Sequence, residues 1–104
     1  MRGHAEVADD PASVAFADRL EGRAMLARAD LPDAQRSLER AAAGFEALDV
    51  PWERALTELD LARVSSSAGK GEDAGVWAAR AAATFEELGD AEGVAAARAL
   101  TETR

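Results

Sequence analysis

The sequence predicts an all-α chain in which antiparallel helix hairpins stack as an α-solenoid, about five helices with a period of 40 residues. Three observations predict it. Sliding the chain on itself by 40 residues, without a gap, matches 12 of 40 positions between 11–50 and 51–90. Among them are Pro11 with Pro51, Arg40-Ala41-Ala42-Ala43 with Arg80-Ala81-Ala82-Ala83, and Phe45-Glu46-x-Leu48 with Phe85-Glu86-x-Leu88. Alanine, the best helix former, fills 27 of the 104 positions. Within each copy the apolar residues recur at helical spacing. A repeat of this length is the signature of a helical array, with units at about 11–50 and 51–90 and a half unit at 91–104.

Each unit reads as two helices. The first runs from about Pro11 to Arg28, with Asp10 as N-cap and proline at the first helical position. Phe16, Leu20, Ala24 and Ala27 are spaced to form its packed face. Ala29-Asp30-Leu31-Pro32 breaks it. The second spans about Pro32 to Leu48, where Ala34, Leu38, Ala41, Ala42, Phe45 and Leu48 form one stripe. The third covers about Pro51 to Ala68 and carries Trp52, Ala55, Leu56, Leu59 and Ala62. Gly69 and Gly71 end it by supplying a left-handed cap. From Glu72 to Leu88 the stripe returns as Ala74, Ala78, Ala81, Ala82, Phe85 and Leu88, and Gly89 stops it. A fifth helix, about Ala91 to Thr103, places Val94, Ala97 and Leu100 on one face. Residues 1–9 read as a disordered lead to a domain at 10–104. Alanine at helix crossings lets backbones approach closely, and Phe45 and Phe85 fill the wider gaps.

Composition excludes several functions. The chain has no cysteine, so it has neither a disulfide framework nor a thiolate metal site. Twenty acids against 12 bases give a net charge of −8, the wrong sign for a domain that neutralises phosphates. No apolar run approaches the roughly 20 residues of a membrane span, and no signal-peptide core is visible. The expectation is a soluble, acidic, cytoplasmic domain.

The run Ala34-x3-Leu38-x2-Ala41-x3-Phe45, followed by Leu48-Asp49-Val50-Pro51-Trp52, resembles tetratricopeptide-type (TPR) repeats. Its second copy is Ala74-x3-Ala78-x2-Ala81-x3-Phe85, closing with Leu88-Gly89-Asp90. More narrowly, residues 45–61 and 80–100 are similar to the long-period TPR-like arrays of large bacterial regulators of the LuxR family and other STAND-type activators. There are departures. The period is 40 rather than the usual 34, and Ser65-Ser66-Ser67 stands where such arrays place Leu or Ala. The ATPase loop and the recognition helix of those regulators have no counterpart here.

The resemblance implies protein–protein interaction across a concave face lined by the first helix of each pair. That face would offer Ser13, Ala17 and Leu20 from one unit and Glu53, Thr57, Asp60 and Leu61 from the next. Being neutral to acidic, it suits a basic or apolar protein or peptide partner. Trp52 could anchor an interface, but its place at the unit junction predicts packing under Phe45. Two other readings stand beside this one. A small effector could bind among the helices in an apolar pocket beside Trp52. Alternatively the partner is a second copy, because the fifth helix lacks a mate and two and a half units are few for a stable stack.

An enzyme is not expected, and neither are cofactors or metals. His4 is the sole imidazole and sits in the lead, so a catalytic dyad or zinc site has nothing to draw on. The acid pairs Glu86/Glu87 and Glu58/Asp60 lie on faces that read as solvated. Gly69-Lys70-Gly71 is too short to cradle a phosphate.

Overall fold

The computed structural model describes residues 10–102; the lead at 1–9, with His4, and the last two residues lie outside them. Five helices follow one another: α1 (Pro11–Ala27), α2 (Leu31–Ala47), α3 (Pro51–Ser67), α4 (Gly71–Leu88) and α5 (Ala91–Glu102). Each begins 20 residues after the one before. Among the described residues no helix is long and apolar enough to cross a membrane.

The regular spacing has a local cause. Ala29, Asp49, Gly69 and Gly89 all take left-handed backbone angles, with φ of 62°, 59°, 78° and 75°. After each, the next N–H reaches back five residues: Asp30 to Met25, Val50 to Phe45, Lys70 to Ser65, Asp90 to Phe85, at 2.8–3.1 Å. This is the Schellman closure, which satisfies the last carbonyls and reverses the chain. Glycine takes the left-handed angle freely in the last two turns, whereas Ala29 and Asp49 adopt it at a cost of about 1 kcal/mol each. Pro11, Pro32 and Pro51 stand in the first two positions of their helices, where no amide bond is lost. The Asp10 carboxylate caps α1 by accepting from the Ser13 N–H at 3.2 Å.

Consecutive helices pack on one another, and turns this short make neighbours antiparallel. Only α3 touches all four other helices, since it also meets α1 and α5. It is buried nearly all round, with nine of its 17 residues inside. Its first half joins a core of Ala55, Leu59, Ala81, Phe85 and Ala97. Its second half joins Ala34, Leu38, Leu61 and Val64, flanked by Met25, Leu26 and Trp77. Ala15, Ala41 and Phe45 form a third cluster between α1 and α2.

The stripes expected on α2 and α4 face the core up to Phe45 and Phe85, while Leu48 and Leu88 remain exposed. On α5, Ala97 is buried and Val94 and Leu100 are half-buried. The face expected on α1 is corrected. Phe16 and Leu20 are 44% and 70% exposed, and Ala24 and Ala27 also face outward. Helix α1 turns Ala15, Gly22, Met25 and Leu26 inward instead. Gly22 decides this: a Cβ there would lie 2.6 Å from Leu38 Cγ, so the missing side chain is what lets α1 close on α2.

Gly93 plays the same part on α5. A Cβ at that position would sit 2.4 Å from the Phe85 ring. The tightest crossings are thus made by glycine, where alanine was expected. Gly93→Ala should destabilise the fold by about 1–3 kcal/mol by overpacking, outweighing the ~1 kcal/mol that alanine gains in helix propensity. Chemical denaturation measures the difference; a variant more stable than the wild type would refute the close contact.

Candidate functional site

The four residues expected to line a partner-binding face lie together on α3, but two of them have no surface to offer. Thr57 and Leu61 are both 0% exposed. The Thr57 hydroxyl donates to the Glu53 carbonyl at 2.9 Å, and Leu61 packs among Ala34, Leu38 and Val64. Glu53 pairs with Arg19 at 2.8 Å. Asp60 is buried between Arg23 at 2.7 Å and Arg63 at 3.0 Å. The Arg19–Glu53 and Arg23–Asp60 pairs hold α1 against α3. An exposed-face reading suits a helix at the rim of an array; α3 meets four neighbours, and these polar residues bond to α1 or within α3 itself.

Trp52 does not pack under Phe45. That ring is covered by Phe16, edge-on with centroids 5.0 Å apart, and by the Arg19 guanidinium at 5.1 Å. The Trp52 indole, about half exposed, donates instead to the Asp90 carboxylate at 3.0 Å. Asp90 also accepts from the Gly93 N–H at 3.0 Å and so caps α5. The indole bond first, then the backbone bonds, hold the Asp90 carboxyl below its ordinary 3.8.

The polar groups that converge lie elsewhere, in a cleft between α2 and α4 whose floor is α3. Glu39, Ala43 and Glu46 form the α2 wall, and Trp77, Arg80 and Thr84 the α4 wall. Arg54 and Glu58 make the floor. Two connected hollows, of about 330 and 190 Å³, share Glu46, Arg54, Glu58 and Arg80. Arg54 Nη2 donates to Thr84 Oγ1 at 2.8 Å, which fixes the guanidinium in place. The Arg80 guanidinium lies over the Trp77 ring, 5.3 Å from its centre.

Glu58 is only 5% exposed. Its nearest cation is Arg54 Nε at 3.7 Å, an ion pair too long for a hydrogen bond. Glu58 Oε1 and Arg54 Nε are both buried without a hydrogen-bond partner. Each such atom costs about 1–3 kcal/mol. Burial pushes the Glu58 carboxyl above its ordinary 4.5; Arg54 and Arg80 pull against that shift, and Glu46 adds to it.

Glu58 and Asp60, expected on a solvated face, do not lie on one. Both are buried, Glu58 toward the cleft and Asp60 toward α1. Glu86 and Glu87 are exposed as expected. The signal that could have marked Glu58 is an acid flanked by apolar Ala55, Leu59 and Ala62 at helical spacing, with Arg54 one turn before it. A further hollow, about 430 Å³ and more apolar, lies between the end of α4 and α5, bordered by the Glu86–Arg98 ion pair. Neither orphaned atom of the Arg54–Glu58 pair lies there.

Among the described residues no cluster of three His, Cys, Asp or Glu side chains could hold a metal ion. Comparison with family models, curated proteins and solved structures returns no match to this chain.

Proposed function

We propose that this chain is a non-enzymatic interaction module, a TPR-like helical array that receives a protein segment in the cleft between α2 and α4. The even 20-residue helix spacing and the four like turns support a repeat architecture of this kind. A bacterial regulatory and cytoplasmic setting is what the resemblance of Phe45–Leu61 and Arg80–Leu100 suggests.

One observation carries the reading. The cleft floor keeps a buried glutamate and a half-buried arginine, of which Glu58 Oε1 and Arg54 Nε are left unpaired. A pair of apolar side chains would pack there at less cost. Polar groups retained in that state are suited to a partner that completes them. The walls are of mixed sign, with Glu39 and Glu46 opposite Arg80. They therefore favour a segment carrying its own complementary charges.

The test uses a displayed peptide library panned on the wild type and on an Ala43→Arg/Ala83→Arg variant. Both alanines line the cleft and are exposed, so arginine narrows the entrance without entering the core. Peptides recovered on the wild type should bind the variant at least about tenfold more weakly, with the melting temperature unchanged. Equal binding to both would place the interface outside the cleft. A library that yields no binder would overturn the reading.

A further inference from the structure

The two units of the chain treat one shared ion pair differently. Forty residues before Glu58 and Arg80 stand Asp18 and Arg40, and these are paired at 3.6 Å. In the second unit the matching arginine, Arg80, lies over Trp77 instead, a ring that replaces Ser37 of the first unit. Arg54 enters beside Glu58 where the first unit has Val14. Its guanidinium is held by Thr84, which stands where the first unit has Gly44. Four differences between the units thus meet at one place. Together they leave an acceptor, Glu58 Oε1, and a donor, Arg54 Nε, buried one turn apart on α3 and unsatisfied, with Nε 3.7 Å from the other oxygen of the same carboxylate.

A neighbouring acceptor and donor match a group that offers one N–H and one C=O. A lone cation would satisfy Glu58 and leave Arg54 Nε unpaired. A lone anion would do the reverse and meet Glu39, Glu46 and Glu58 around it. An amide satisfies both atoms and adds no charge to a site already lined by three carboxylates and two guanidiniums.

We propose that the cleft floor is a receptor for one amide group, with Glu58 Oε1 accepting its N–H and Arg54 Nε donating to its carbonyl oxygen. The inference rests on the reading of this cleft as the binding face. Two sources carry the chemistry, the main chain of an extended segment and the carboxamide of Asn or Gln. Trp77 and Arg80 form the wall against which the rest of the ligand lies.

The experiment is an NMR titration of the full chain with N-acetylalanine methylamide, N-acetylglutamine methylamide and N-acetylglutamate methylamide. It follows the Arg54 Nε–H and Trp77 indole signals. Saturable shifts with dissociation constants on the order of 10 mM are expected for fragments of this size. Shifts with all three probes assign the site to main-chain amide, and shifts with the glutamine probe alone assign it to side-chain carboxamide. Either result supports the proposal.

Removing one member of the pair risks the fold, so the control is the Arg54→Met/Glu58→Leu double variant, which keeps a packed floor. Binding there, read at Trp77, should weaken at least about tenfold. Three outcomes overturn the proposal: no saturable shift with any probe, equal binding to the double variant, or a water bound to both atoms that no probe displaces. Peptides that are blocked by Ala43→Arg/Ala83→Arg yet bind the double variant fully would sink the amide receptor and leave the interaction module standing. Amide probes that bind while the library yields nothing would do the opposite.

Discussion

Phe85→Ala should lower the unfolding free energy by about 3–5 kcal/mol. The ring is fully buried where α3, α4 and α5 meet. Three of its buried neighbours, Ala55, Ala81 and Ala97, are already the smallest apolar side chains and cannot extend into the space left behind. Gly93, pressed against the ring, has no side chain at all. Leu59, Val94 and Leu100 can fill only part of the gap, so a cavity term adds to the lost transfer energy. Domains of this size have total stabilities of about 5–15 kcal/mol, so roughly a fifth or more of the fold's margin is at stake. Urea denaturation should show a lower midpoint with an unchanged slope. The matching Phe45→Ala should cost less, because the half-exposed Phe16 ring already touches Phe45 and can move inward. A Phe85→Ala loss below about 1 kcal/mol would mean that the helices repack around the gap.

Arg54→Met alone should cost about 3–5 kcal/mol, whereas Arg54→Met combined with Glu58→Leu should be neutral or stabilising by up to about 4 kcal/mol. The single change removes the bond to Thr84 and leaves a buried carboxylate whose nearest cation is gone. The double change removes both charges and their desolvation together. Acid should soften the single loss. Glu58 has a raised pKa when folded, so the folded state holds its proton more readily than the unfolded chain does. Its contribution to stability is therefore present below the ordinary 4.5 and is lost as pH rises through the raised value. The Arg54→Met penalty should be larger at pH 8 than at pH 5. Asp90, whose pKa is depressed, behaves in the opposite sense: its contribution is present above 3.8 and lost as pH falls through the lower value. Melting curves of the single and double variants across this range separate the effects. A double variant that is strongly destabilised would show that the pair supports the fold rather than a partner.

The helices were legible in the sequence because their signals are local. Prolines at helix starts, glycine at two of the turns and the stripes ending in Phe45 and Phe85 each act within one or two helical turns. What the sequence concealed was which side of a helix meets its neighbours. On α1 the bulkier row, Phe16 and Leu20, suggested the core face, yet packing followed Gly22, where a backbone can approach. Helix α3 misled for another reason. Its polar residues imply a solvated side only if one side is free, and contacts with four other helices leave none. Thr57 and Asp60 satisfy their polar atoms inside the fold. The contacts that assemble the cleft, such as Arg54 with Thr84, join residues 30 positions apart and leave no trace in local pattern.

The uniform interval between helix starts sets how such a chain can change in length. Helices α2 and α4 present the same stripe in the same phase, so whatever follows one could follow the other. Tandem duplication of residues 51–90 would insert two helices while keeping every junction in register. A single-residue insertion inside a helix would turn everything beyond it by about 100° and scatter the buried faces. The chain therefore tolerates growth in whole hairpins and resists growth by small steps, and a copied hairpin would bring a second floor of the Arg54–Glu58 kind with it.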